Sequence, residues 1–285
     1  MIQNNHGEFY NRNKKYYDRN AAKYERASWY FYNKYKNNQI EKELNKCTQL
    51  LGKKEIRVLE IGPGTGYLLS KLLSIKDIKI DYTAIEHSDE MEKILTARYS
   101  GLCNNLRILN QSVSGEAISN LDITNKYDLI MGSSILHHIV DYETVVEELS
   151  KRLMPNGVMY FVREPIHRDD CVVRAGGMRV VVELFAWIYG MINNMYMAPI
   201  VRKYLFPGKI KAEDASQVAY HMFKDGVSTK PFDKLIQSKL YNRMFHRRYN
   251  RRLSTAFSYV ENEWLKYLRK DIFGNTLYSI CLQKR

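Results

Sequence analysis

Strand-like and helix-like apolar runs alternate along the middle of the chain. Residues 57–61 form a short apolar run closed by glycines, and residues 67–73 carry apolar positions at helical spacing. The alternation continues with strands predicted at 80–85, 106–109, 127–131 and 158–162, and helices at 89–99 and 142–153. Pro155-Asn156-Gly157 is read as the punctuation that ends the last helix and turns the chain into the next strand. Strands alternating with helices require right-handed crossovers. The fold class predicted is therefore α/β, a doubly wound, mostly parallel sheet. Residues 247–255 and 277–282 supply two final strands, seven in all.

The flanks have a different texture. Residues 1–50 mix aromatic and charged positions, among them Tyr10, Tyr16, Tyr17, Tyr24, Trp29 and Tyr35, with no strand-like run. Two helices forming an N-terminal cover are expected there. Residues 51–165 make the core, and after Glu164-Pro165 the alternation stops for about 70 residues, too long for an ordinary connection. Residues 166–235 are accordingly an inserted helical cap, with Val180, Leu184, Trp187, Met191 and Met195 at helical spacing, and 236–285 complete the sheet.

Composition narrows the classes. A chain of 285 residues, 45% hydrophobic and 26% charged, can bury a substantial core and is not of disordered type. The net charge of +13 invites an anionic partner, but the surplus is spread along the chain, as on a solvated surface. Cys47, Cys103, Cys171 and Cys281 lie far apart without C-x-x-C spacing, and the basic N-terminus is followed by no apolar stretch of signal-peptide type, so a cytoplasmic protein is expected. Residues 184–201 carry no charge, yet Gly190, Asn193, Asn194 and Pro199 interrupt them, so a buried or amphipathic helix is expected instead of a membrane span. Basic flanks at Arg174, Arg179, Arg202 and Lys203 leave peripheral contact with a bilayer surface open.

Candidate chemistry begins at Gly62-Pro63-Gly64-Thr65-Gly66, where the first strand runs into the first helix. A doubly wound sheet binds nucleotide-like ligands there, and glycine lets the backbone approach closely. A G-x-G-x-x-G dinucleotide fingerprint would need glycine at 67, which is Tyr67, so nicotinamide binding is disfavoured. Glu86 ends the second strand, 24 positions after Gly62, near the offset at which a carboxylate reaches a ribose diol.

VLEIGPGTG, the acid in YTAIEHSDEM, and the blocks YDLIMGSSILHHIVD and LSKRLMPNGVMYFVREP, in this order, resemble class I S-adenosylmethionine-dependent methyltransferases, especially those acting on small molecules. The resemblance covers about residues 50–165 and implies a Rossmann-like fold with S-adenosylmethionine as cofactor and S-adenosylhomocysteine as product. By position it puts Glu60, Gly62, Gly64 and Gly66 around the methionine part of the cofactor, Glu86 with the adjacent His87 at the ribose, and Ser133 between cofactor and acceptor. Where the family often has an Asp for the adenine amine, this chain has Ser112, which leaves that contact to its hydroxyl or a flanking amide; Ser112 and Val113 are counted as cofactor-facing. The segment with Tyr16, Tyr17 and Tyr24 resembles the family's N-terminal lid, with Tyr24 the first choice for the cofactor.

Methyl transfer from a sulfonium is an in-line displacement, and a base helps where the acceptor is a hydroxyl. His137 and His138 follow the fourth strand; one of two adjacent histidines should point into the core, and His138 is favoured for the pocket. Glu164 either orients that histidine or takes the proton, unless it only pairs with Arg163 or Arg168. No His and carboxylate cluster has metal-ligand spacing, so no metal is expected. The cap's Trp187, Tyr189, Met191, Met195, Tyr196 and Met197 suit an apolar small-molecule acceptor, a plain core or a homodimer contact. The main rival is an RNA methyltransferase using 239–252, which carries six Lys or Arg and no acid. The motif after the fourth strand is not the N/D-P-P-[YF] of base amino methyltransferases, so nucleic acid is disfavoured, and the arginines equally suit a guarded edge strand or an acidic small acceptor. A cofactor-binding subunit without turnover ranks last.

Overall fold

The computed structural model describes residues 4–27, 34–122, 124–167, 226–249 and 277–285. Two helices, α1 (Asn4–Ala27) and α2 (Lys34–Leu51), precede a core of β1 (Glu55–Ile61), α3 (Tyr67–Leu72), β2 (Lys79–Glu86), α4 (Asp89–Tyr99), β3 (Asn105–Asn110), α5 (Gly115–Ser119), β4 (Tyr127–Ser133), α6 (Tyr142–Lys151) and β5 (Leu153–Pro165). Helix α7 (Lys230–Gln237) and strands β6 (Tyr241–Tyr249) and β7 (Leu277–Lys284) follow. The strand order is β3-β2-β1-β4-β5-β7-β6, with β7 antiparallel to both neighbours and the other pairings parallel. This is the doubly wound, mostly parallel seven-stranded sheet.

Both faces are covered, so successive strand residues feed opposite cores. Leu59, Ile61, Ile130, Met159, Phe161 and Ile280 pack with α5, α6 and α7 residues such as Ile118, Val146 and Phe232. Val58, Leu129, Met131, Val158, Tyr160 and Cys281 pack on the opposite side with Leu44 of α2, Leu68 and Leu72 of α3 and Leu95 of α4. The strand order reverses between β1 and β4, which opens a crevice at the carboxyl ends of these strands.

Three boundaries differ from the sequence expectation. The sixth strand spans Tyr241–Tyr249 and not 247–255, because its ladder with β7, from Tyr241 opposite Lys284 to Tyr249 opposite Leu277, sets its place; 250–255 lie outside the described residues. Helix α6 stops at Lys151 with Arg152 as C-cap, four residues before Pro155, and β5 already begins at Leu153. Pro155-Asn156-Gly157 therefore bends a strand instead of ending a helix, with Asn156 at φ 61° beside the register shift between Tyr127 and Leu129. Short α5, capped by the Ser114 hydroxyl accepting from the Ala117 N–H at 3.1 Å, has too few residues for a periodic signal. The apolar stripe of 180–197, the uncharged run 184–201 and its basic flanks lie outside the described residues. Among the described residues no helix is long and apolar enough to cross a membrane.

Candidate active site

The crevice is a cleft of about 610 Å³, partly open to solvent, lined by residues of α1, the β1–α3 loop, the β2–α4 loop and the segment after β4. Gly62 begins the β1–α3 loop at φ 59°, and a Cβ there would lie 2.3 Å from the Ile135 side chain, so only glycine allows this close approach. Gly66 is different: it does not line the cleft, and at φ 89° its Cα faces Tyr99 and Leu95 of α4, where a Cβ would stand 2.3 Å from the Tyr99 ring. Its place is the packing of α3 on α4.

Glu86 is buried at the end of β2, and its carboxylate accepts from the backbone N–H of Gly64 at 3.0 Å and of Ser88 at 2.9 Å. Each oxygen keeps a lone pair for a ligand hydroxyl. Burial pushes its pKa up, against those backbone hydrogen bonds. Beside it His87 is held neutral: burial, then the neighbouring His138 and Lys14, push it down to about 4. Glu60, 1% exposed, accepts from the Tyr82 hydroxyl at 2.6 Å, and burial raises it to about 8.

Helix α1 closes one side because two of its stripes have separate partners. Lys14 bonds the His87 carbonyl at 2.8 Å and pairs with Asp89, Asp18 accepts from the Ser88 hydroxyl at 2.7 Å, and Glu25 pairs with Arg98. These contacts fasten α1 along α4. Tyr17 and Tyr24, one heptad apart, thereby line the cleft, with ring centroids 5.9 Å apart. The Tyr17 hydroxyl lies 3.1 Å from His138 Nε2, and its ring meets His87 edge-on.

The two histidines part company in a short 3₁₀ turn, Leu136–His138. His137 is buried, its Nδ1 3.0 Å from Glu164, whereas His138 lines the cleft. Glu164, fully buried on β5, also accepts from the backbone N–H of Ile135 at 2.8 Å and Leu136 at 3.1 Å. A carboxylate at the orphan N–H groups of a helical turn holds that turn in place. Burial raises Glu164 to about 7, moderated by those N–H groups. Its partners are thus His137 and the turn, not Arg163; Arg168 lies outside the described residues.

Of the predicted site residues, Tyr24, Glu60, Gly62, Gly64, Glu86, His87, Ser133 and His138 line the cleft together. Gly66, Ser112, Val113, His137 and Glu164 are not in its lining, and Val113 is buried in the core. Sequence reasoning missed Pro63, Tyr67, Met91, Ser134 and Ile135 as lining residues. Ser134 has a local mark, φ 54° in a non-glycine residue, but sequence does not display it. Of the basic stretch, residues 241–249 form edge strand β6, with Arg243 paired to Asp233 and Arg247 3.6 Å from buried Glu43, while 250–252 lie outside the described residues. Among the described residues no cluster of three or more His, Cys, Asp or Glu is arranged to hold a metal.

The cleft suits the cofactor implied by the motifs. Its two carboxyls offer acceptors for hydroxyls and a cation, among the described residues no lysine or arginine lines it, and Gly64 leaves open space where a Cβ would meet nothing closer than Tyr24 at 3.9 Å.

Comparison with known proteins agrees in kind. A family model described as "Methyltransferase domain" matches residues 32–182. Malonyl-[acyl-carrier protein] O-methyltransferase of Priestia megaterium (strain DSM 319 / IMG 1521) is 31% identical over 123 residues, 41% of this chain and 40% of that protein. Ubiquinone biosynthesis O-methyltransferase of Bartonella tribocorum (strain CIP 105476 / IBS 506) is 26% identical over 105 residues, 37% of this chain and 40% of that protein. The chain thus matches about two fifths of the length of either relative. Among solved structures, the plantazolicin methyltransferase BpumL in complex with SAH aligns over 100% of this chain and 99% of its own, with a TM-score of 0.50 at 15% identity, a likeness of fold.

Proposed function

From the premise that this chain belongs to the class I S-adenosylmethionine-dependent methyltransferases, we propose that it methylates a hydroxyl group of a small-molecule acceptor, a natural product or a glycan or lipid precursor. The observation that carries this reading is His138, an imidazole in the wall of the cleft that also holds Glu60 and Glu86. Bound S-adenosylmethionine supplies an electrophilic methyl group on a sulfonium. Glu86 accepts hydrogen bonds from its ribose diol, and Glu60 faces the cationic end of its methionine part. The faces of Tyr17 and Tyr24 are suited to positive charge.

His138 accepts the proton of the acceptor hydroxyl through Nε2, where the Tyr17 hydroxyl now sits 3.1 Å away. Glu164 and His137 act behind it, keeping the 3₁₀ turn and so the His138 ring in place. Most of the acceleration comes from alignment of acceptor, methyl and sulfur in a cleft that α1 covers on one side. The 1–50 cover and the 166–235 insertion are proposed to close the site, and 51–165 to bind the cofactor. The RNA reading loses weight because Arg243 and Arg247 of β6 already have acidic partners.

The test is calorimetric titration with S-adenosylmethionine, S-adenosylhomocysteine and NADH. Micromolar binding of the two sulfur compounds alone is expected, and Glu86→Ala should weaken it at least tenfold. Unchanged affinity in that variant would refute the assignment of Glu86 to the ribose.

A further inference from the structure

The two carboxyls of the cleft are not equivalent. Glu86 accepts two backbone N–H bonds, at 2.9 and 3.0 Å, and such fixed dipoles favour a carboxylate. Glu60, deeper and 1% exposed, has a single neutral donor, the Tyr82 hydroxyl at 2.6 Å, and that tyrosine is itself fully buried. Among the described residues the other titratable groups around this corner are Tyr99 of α4, Cys103 beside Tyr82, Lys71 and Arg163 over the Tyr67 ring, and, in the same cleft, Tyr17, Tyr24, Tyr67, His87 and His138. Among the described residues no lysine or arginine is in the lining, and His87 is neutral.

A buried carboxylate without a cation, sharing a cleft with a second carboxylate, keeps its proton. Burial, opposed by the Tyr82 hydrogen bond and reinforced by Glu86, puts Glu60 at about 8.

Resting on the cofactor reading above, we propose that cofactor binding is proton-coupled, with Glu60 a carboxylic acid in the empty cleft that becomes a carboxylate when the ligand's ammonium group enters. The O–H bond of the Glu60 carboxyl breaks, its proton passes to the buffer, and the carboxylate left behind forms an ion pair with the ligand; nothing is oxidised or reduced. The empty site then avoids two adjacent buried charges. Affinity should rise about tenfold per pH unit below the titration of Glu60 and level off above it.

The experiment is calorimetry of the full chain with S-adenosylhomocysteine at pH 7, in phosphate and in Tris, whose ionisation enthalpies differ. The buffer dependence of the heat counts protons, and release of nearly one per ligand is expected. Glu60→Gln should abolish the release and flatten the pH dependence. Tyr82→Phe keeps the carboxyl but removes its hydrogen bond, so it should preserve the release and move the rise in affinity to higher pH; this variant decides the matter if Glu60→Gln does not fold. Equal heats in the two buffers, release persisting in Glu60→Gln, or an unmoved pH curve in Tyr82→Phe would overturn the proposal alone. Absence of binding at every pH would overturn the cofactor reading and this inference with it.

Discussion

At the scale of single residues, the site depends on groups whose protonation is set by burial. Glu60 and Glu164 stand at about 8 and 7, against an ordinary 4.5, and His87 at about 4, against 6.5. The signs differ. Below about 6.5 the unfolded His87 gains a proton that the folded one refuses, so His87 favours folding more as pH rises to that value. Between 4.5 and their folded values the two glutamates keep protons that the unfolded chain has lost, so their contribution declines as pH rises. Above 6.5 only the decline remains, and the melting temperature of ligand-free protein is expected to fall from pH 6.5 to 8.5, less steeply in Glu60→Gln. His138→Ala should lower kcat by about a hundredfold or more, as loss of a general base does, with affinity for S-adenosylhomocysteine within about twofold of wild type. Equal losses in binding and turnover would instead make His138 a cofactor contact.

At the scale of elements, Ser88 joins two of them. Its hydroxyl caps α4 by accepting from the Met91 N–H at 3.2 Å and donates to Asp18 of α1 at 2.7 Å. Ser88→Ala should therefore cost about 1 kcal/mol in urea unfolding and also speed dissociation of S-adenosylhomocysteine, because α1 loses an anchor over the cleft. A stability loss with unchanged dissociation would mean that α1 is a fixed wall. Helix α1 itself is legible as a helix from its pattern, but its two stripes are not, since a tyrosine facing a cleft and a tyrosine facing a core have the same spacing. Edge strand β6 shows the same limit: its register comes from β7, whose Leu277 lies 28 positions after Tyr249.

At the scale of the whole molecule, the sheet brings one nucleotide-type cleft to the β1–β4 switch point and leaves the basic strand β6 at its far edge. Ligand binding to the folded state alone should stabilise the chain by about 2.7 kcal/mol at a hundredfold excess over Kd. Thermal melts should therefore show a clear upward shift with S-adenosylhomocysteine, undiminished by EDTA, and none with NADH. A shift that requires a divalent cation would contradict metal independence.

What the sequence determined by itself is the alternation of strands and helices, the glycine loop at the first crossover and the acid ending the second strand. Those features are local, because periodicity and backbone freedom act within a few residues and are written directly in residue type. Only the tertiary structure decided the aim of the side chains. His137 and His138 are neighbours in the chain, yet a buried carboxylate 27 positions beyond His137 turns one inward and leaves the other on the cleft. Gly66 lies in the same loop as Gly62 and serves a different contact, with Tyr99. Such assignments depend on hydrogen bonds and packing between distant segments, whose geometry exists only once the sheet has brought those segments together.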